Sequence, residues 1–179
     1  MPPAERIRRK AAAIRLAAFD ADGVLTDGGI YFGETGEEYK CFNVQDGLGL
    51  VMLREAGIEV AVISSRSSAA VARRMSGLGI RHVLQGVSDK KQALTNLARD
   101  LGIENAALAF VGDDLIDLQV MAMCGLSVAV ANARPEVQTR ADWITTAPGG
   151  RGGVREVCEL LLAAQGKMEG IVKKLVGLE

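Results

Sequence analysis

The chain has 179 residues, 21 Lys and Arg against 22 Asp and Glu, and a formal net charge of −1. This length suits one domain spanning residues 1–179, since ~100–200 residues per domain is usual, and 49% hydrophobic residues are ample for a core. The flat charge balance and an aromatic content of 4% speak against a nucleic-acid partner, and no apolar run approaches the ~20 residues that span a bilayer, so no membrane partner is expected.

Taken in chain order, the basic N-terminus lacks the apolar stretch and cleavage site of a signal peptide. Leu16–Phe19 is the first short apolar run and leads into Asp-Ala-Asp-Gly. Two β-prone pieces, Ile30–Phe32 and Glu38–Phe42, flank Gly33–Gly36 and predict a hairpin insertion over about 28–44 with a four-residue loop. Helices are expected over Leu48–Ala56, Ser67–Leu78, Asp89–Leu101 and Leu115–Cys124, each ending at a glycine that supplies a left-handed cap. Between them lie the apolar runs Val60–Ile63, Arg81–Leu84, Ala107–Val111 and Val128–Ala131. Continuous apolar runs indicate strands covered on both faces. The alternation therefore predicts an α/β fold, a doubly wound parallel sheet. A last helix, Val154–Ala164, follows the glycine-rich stretch Pro148–Gly153, and a tail occupies about 166–179.

Cys41, Cys124 and Cys158 are far apart and odd in number, as expected of buried, reduced thiols in a cytoplasmic protein. His82 has no second histidine to support a metal site, so a structural or surface role is expected.

The chemistry concentrates at strand ends. Asp20 and Asp22 follow the first strand, where carboxylates enter the ligand crevice of an open parallel sheet. Asp113, Asp114 and Asp117 follow Ala107–Val111. Carboxylates converging from two strands form an oxygen site suited to Mg²⁺. First-turn acids favoured by the helix dipole would explain one or two of them, but not acids at both strand ends. Ser64 ends Val60–Ile63, either as a phosphate-holding hydroxyl or as a plain N-cap. Lys90 opens a helix against the macrodipole, which favours a nearby anion, although a solvated lysine would look the same in isolation.

The ordered set DxD, Ser, Lys, GDDxxxD resembles the haloacid dehalogenase superfamily of phosphohydrolases. Longer stretches resemble the family of 3-deoxy-D-manno-octulosonate 8-phosphate (Kdo 8-phosphate) phosphatases, which make Kdo for lipopolysaccharide. These include DADGVLTDGGIYFGETGEEYKCFNVQDGLG, LQGVSDKKQAL, FVGDDLIDLQVM and GGRGGVREVCELLLAAQGK. By that resemblance Asp20 is the nucleophile and Asp22 the general acid and base. Mg²⁺ is held by Asp20, the Asp22 carbonyl and Asp113, while Asp114 and Asp117 are water-mediated ligands or orienters of Lys90. Ser64 and Lys90 bind phosphoryl oxygens, and Arg66 pairs with the carboxylate of a small sugar-acid phosphate. Asp46, in Gln45-Asp46-Gly47-Leu48-Gly49 where the family has Arg-Asp-Gly-Tyr-Gly, is a substrate contact or else the N-cap of the next helix.

About two dozen residues between Gly23 and Asp46 are too few for a separate cap domain. The resemblance implies a homotetramer assembled through the hairpins, with a neighbour's tail reaching the site and Pro148–Gly153 as its flexible approach. A nonulosonate 9-phosphate substrate and a noncatalytic oligomerisation module are the alternatives.

Overall fold

A computed structural model describes residues 3–177; the last two residues of the expected tail lie outside that range. The strands are β1 (Leu16–Phe19), the short pair β2 (Tyr31–Phe32) and β3 (Glu38–Tyr39), then β4 (Glu59–Ile63), β5 (His82–Leu84), β6 (Leu108–Gly112), β7 (Leu126–Ala129) and β8 (Trp143–Ile144). The helices are α1 (Pro3–Ala12), α2 (Val44–Glu55), α3 (Ala69–Gly77), α4 (Lys90–Leu101), α5 (Leu118–Met121), α6 (Pro135–Gln138), α7 (Gly153–Ala164) and α8 (Met168–Val176).

Six strands form one parallel sheet in the order β5-β4-β1-β6-β7-β8. Every residue of β1 is buried, as a central strand covered on both faces requires. Right-handed crossovers put α2 and α3 on one face while the chain winds outward from β1. The return through β6 puts α4 and α5 on the other. α1 and α7 complete the first layer. The expected doubly wound sheet is thus present, with no cap domain between β1 and α2.

Several boundaries moved for local reasons. α2 starts at Val44 because the Asn43 side chain caps it, accepting from the amides of Gln45 and Asp46. Its glycines are helical and serve close packing: a Cβ on Gly49 would lie 3.1 Å from Cys158 Sγ of α7. β7 starts directly after Gly125, two residues before the expected run. The segment 115–124 holds only a 3₁₀ turn and the single-turn α5. The hairpin loop is five residues, Gly33–Glu37, closed by the Gly33 amide donating to the Glu37 carbonyl.

The glycine-rich stretch is no flexible approach. Gly149, Gly150 and Gly153 are buried. The Gly150 amide donates to the Val24 carbonyl at 2.8 Å, and the Gly149 amide to Asn132 Oδ1 at 2.8 Å. A Cβ on Gly149 would come within 1.7 Å of the Gly23 carbonyl oxygen. Only a residue without a side chain lets this strut back the loop after β1. The tail also differs from expectation. It folds as α8 on its own α2, with Ile171 buried, Lys174 paired with Glu55, and Lys167 Nζ donating to the Ala56 carbonyl. The end of α2 precedes β4, so α8 sits at the sheet end opposite Asp20.

Candidate active site

β1 and β6 are neighbours where the strand order reverses, the place where open α/β sheets bind ligands. Phe19 pairs with Val111, so Asp20 and Asp113 leave the sheet side by side. The Asp20 amide donates to the Val111 carbonyl at 3.0 Å, which fixes the chain at the point of exit. The loop that follows turns at Gly23, with φ of +91°, a region that favours glycine. The missing side chain matters as well: a Cβ there would lie 2.2 Å from Asp113 Oδ2.

Lys90 reaches this corner from the first turn of α4, which Asp89 caps by accepting from the Gln92 amide. Its ammonium lies 2.7 Å from Asp20 Oδ1 and 2.7 Å from Asp117 Oδ1. All three side chains are buried. Burial works against the Lys90 ammonium, but Asp20 and Asp117 outweigh it and raise its pKa above the ordinary value. The other Asp117 oxygen accepts from the amides of Asp113 at 3.0 Å and Asp114 at 3.3 Å. Both Asp117 oxygens are therefore occupied in fixing Lys90 and the β6 loop. Asp114 is exposed, and its carboxylate accepts from the Leu115 amide as a cap.

Carboxylate oxygens of Asp20, Asp113 and Asp117 lie within 4.8 Å of one another. Asp113 Oδ1 is buried without a hydrogen-bond partner. Burial, and then Asp20, Asp117 and Asp114, push Asp113 up to about 8. Burial and Asp117 push Asp20 up to about 6 against the pull of Lys90. An orphaned buried carboxylate oxygen among crowded acids is a corner short of positive charge, and its hard oxygen donors fit Mg²⁺.

Ser64 stands at the end of β4, 3% exposed, with its amide donating to the Leu84 carbonyl. Its hydroxyl oxygen accepts from the Arg66 amide at 3.2 Å. α3 begins only at Ala69, under a Ser68 cap, so Ser64 is not that helix's cap. Asp20, Asp22, Ser64, Arg66, Lys90 and Asp113 share one cavity of about 150 Å³. That space suits a phosphoryl group but not an eight-carbon sugar acid.

Asp22 faces the other way, toward the hairpin. Its Oδ1 accepts from Lys40 Nζ, and its Oδ2 lies 3.5 Å from Arg66 Nε. Glu38 pairs with both cations, at 3.2 Å from Arg66 Nη2 and 3.6 Å from Lys40 Nζ. Lys40 and Glu38 escaped the sequence reading, because alternation puts them on one face of the hairpin without saying that this face, and not the one with Tyr39 and Cys41, turns inward. Along 38–42 burial alternates strictly, with Glu38, Lys40 and Phe42 inward and Tyr39 and Cys41 outward.

Two expectations need correction. Asp46 is 1% exposed, and its carboxylate accepts from the amides of Gly152 at 3.2 Å and Arg155 at 2.8 Å. It caps α7, neither binding in the cavity nor capping α2. Cys41 is exposed on the hairpin, whereas Cys158 is buried and Cys124 partly so. His82 has the expected structural role, with Nε2 at 3.2 Å from Glu59 Oε2.

Residues 74–157 match the haloacid dehalogenase-like hydrolase family. The chain is 51% identical to the 3-deoxy-D-manno-octulosonate 8-phosphate phosphatase of Escherichia coli BL21-DE3 over 168 residues, 94% of this chain and 89% of that protein. The Moraxella catarrhalis phosphatase of that name, solved with magnesium, phosphate and Kdo, superposes with a TM-score of 0.93 at 46% identity over 96% of this chain and 98% of that one. The cobalt-bound Haemophilus influenzae phosphatase gives 0.85 at 41% identity, over 88% and 92%. With the acids at the switch point and the lysine beneath them already in place, these likenesses put the chain in the Kdo 8-phosphate phosphatase family of haloacid dehalogenase-like hydrolases.

Proposed function

We propose that the protein is a Mg²⁺-dependent phosphatase that hydrolyses Kdo 8-phosphate to Kdo and inorganic phosphate in lipopolysaccharide biosynthesis. The observation that carries this reading is the convergence of Asp20, Asp22, Ser64, Lys90 and Asp113 on one small cavity at the switch point.

Asp20 attacks phosphorus, forming an aspartyl-phosphate as the bond to the sugar oxygen breaks. The leaving oxygen takes a proton from Asp22. In the second half Asp22 takes a proton from water as the water oxygen attacks phosphorus, which releases phosphate and restores Asp20. Lys90 and the Ser64 hydroxyl hold the phosphoryl oxygens, and Asp117 keeps Lys90 aimed. Asp20, Asp113 and the Asp22 carbonyl would hold Mg²⁺, which supplies positive charge against the carboxylates and the phosphoryl oxygens. Arg66 is half exposed at the rim, suited to pair with the sugar's carboxylate.

The cavity needs cover for the sugar. The hairpin leaves Tyr31, Phe32 and Tyr39 more than half or about half exposed, at 50%, 69% and 56%. A two-stranded projection of this kind is marginal alone, and packing against copies of itself in a homotetramer buries it. The three cysteines are unpaired, in keeping with a cytoplasmic location, and among the described residues no helix is long and apolar enough to cross a membrane.

The test is phosphate release with Mg²⁺ across Kdo 8-phosphate, a nonulosonate 9-phosphate and neutral sugar phosphates. Kdo 8-phosphate should lead in kcat/KM by about 100-fold, within what lost polar contacts to a recognised group produce. Equal rates across the panel, or a lead for the 9-phosphate, would overturn the assignment.

A further inference from the structure

The leaving-group side of the site holds a feature that the phosphoryl-transfer chemistry does not use. Asp22 is clasped by two cations on different oxygens, Lys40 on Oδ1 and Arg66 near Oδ2. The cations differ in freedom. The Lys40 side chain is fully buried, while half of the Arg66 side chain is exposed. Glu38 bridges them, yet its Oε1 is buried without a hydrogen bond, 3.6 Å from Lys40. Strand alternation puts Glu38 and Lys40 on one face of the hairpin, so a single backbone segment sets both. The same residues wall a second, larger groove of about 750 Å³ that runs along α3 past Arg73 and Arg74.

We propose that Lys40 and Glu38 are positioning residues for Asp22, and that a carboxylate on the substrate's sugar releases Asp22 Oδ2 by taking Arg66 from it. This rests on the phosphatase reading and deepens it. Arg66 now divides its guanidinium between Asp22 and Glu38. A carboxylate approaching from solvent can meet that fork with two parallel hydrogen bonds, a better match than the two longer contacts it replaces. Lys40 has no route to follow, so Asp22 stays pinned through Oδ1 while Oδ2, once free of Arg66, takes a proton from solvent and turns it to the leaving oxygen. Glu38 keeps both cations in line before the substrate arrives. A phosphate ester without a carboxylate leaves Oδ2 engaged and turns over slowly. Recognition of the acid group then acts on kcat and not only on binding.

The experiment compares Kdo 8-phosphate with a neutral sugar phosphate in wild type, Arg66→Gln, Lys40→Met and Lys40→Arg, with Mg²⁺ present. Arg66→Gln should raise kcat several-fold on the neutral ester while raising KM for Kdo 8-phosphate. An arginine that only binds substrate predicts no gain on the neutral ester, and the absence of that gain overturns the release step. Lys40→Met should lower kcat about 100-fold on both esters, the scale of a mispositioned general acid, with KM changing less than about threefold. Lys40→Arg should recover much of that loss, which a general folding defect would not allow. A Lys40→Met change confined to KM, or no recovery with arginine, overturns the positioning role. Arg66→Gln lies at an exposed position, so its result stands even where Lys40→Met folds poorly. Failure of wild type to hydrolyse any of these esters would instead sink the phosphatase reading.

Discussion

Lys90 and Lys40 each bring an ammonium to a site aspartate, but from different scaffolds. Lys90 comes from the first turn of a twelve-residue helix packed under the sheet, and it meets Asp20 and Asp117 where all three are buried. Lys40 comes from a two-stranded hairpin whose outer face is exposed, and its partners Asp22 and Glu38 are 22% and 21% exposed, shared with an Arg66 that is 50% exposed. The phosphoryl side is thus assembled before anything binds, held by strand register and by amides spent on Asp117. The leaving-group side is held by ion pairs of which the Arg66 contacts lie within reach of water, weak and exchangeable, while the buried Lys40 stays in place. A fixed electrostatic frame suits the transferring phosphoryl group, which every substrate shares. An exchangeable one suits the sugar, which differs between substrates.

The largest break in this contrast is expected from Asp20→Asn. It keeps shape and removes the attacking charge, so kcat should fall about 10⁴-fold or more, as for other members of a catalytic unit. The fold should survive, because the change also removes a negative charge crowded by Asp117 and Asp113. Turnover within tenfold of wild type would reject Asp20 as nucleophile; circular dichroism would check the fold.

A smaller loss is expected from Gly149→Ala, which leaves every charge in place. Its Cβ would meet the Gly23 carbonyl oxygen at 1.7 Å and the Val24 Cα at 3.0 Å, both backbone. Since neither atom can swing aside, the loop carrying Asp20 and Asp22 must shift. A displacement of about 1 Å costs on the order of 100-fold in rate where positioning dominates. Unchanged kcat in a folded Gly149→Ala variant would show that the strut does not set the loop.

These two positions also show what the sequence made legible. The runs LAAF, VAVI and ALAFV carry their burial on both faces in plain view, and the acids that end them declare the crevice. Asp20 and Asp113 were visible because strand-end placement needs only local pattern, whereas Ser64 at a strand end and Lys90 at a helix start, each open to a plain reading alone, took their roles from the ordered set they complete. The role of Asp46 was not, since its partners lie 106 and 109 residues away at the start of α7. Gly149 looked like a mobile loop because glycine content does not distinguish freedom from close approach. β8 has two residues and no pattern of its own; it exists by pairing with β7. The α8 helix is amphipathic, but nothing local says that it docks on its own α2 and not elsewhere.

The smallest expected effect concerns what holds the buried half together without catalysis. With no metal ion in the corner, Asp20 lies at about 6 and Asp113 at about 8, both above the ordinary 3.8 in spite of Lys90. A carboxyl whose folded-state pKa is raised binds its proton more tightly folded than unfolded. Its contribution to stability is complete below the unfolded pKa and is lost as pH rises through the folded one. In chelator the melting temperature should therefore decline from about pH 4, the ordinary aspartate range, to about pH 8, the value for Asp113. Mg²⁺ should flatten that decline, because a cation favours the ionised acids and binds the folded chain alone. Asp113→Asn should flatten it in chelator too and abolish the response to Mg²⁺. The open half predicts the opposite for Lys40→Met, which leaves the buried acids untouched and should keep the difference between chelator and Mg²⁺ intact. Superimposable pH profiles with and without Mg²⁺ in the unsubstituted protein would mean that the crowded acids are not where the cation sits.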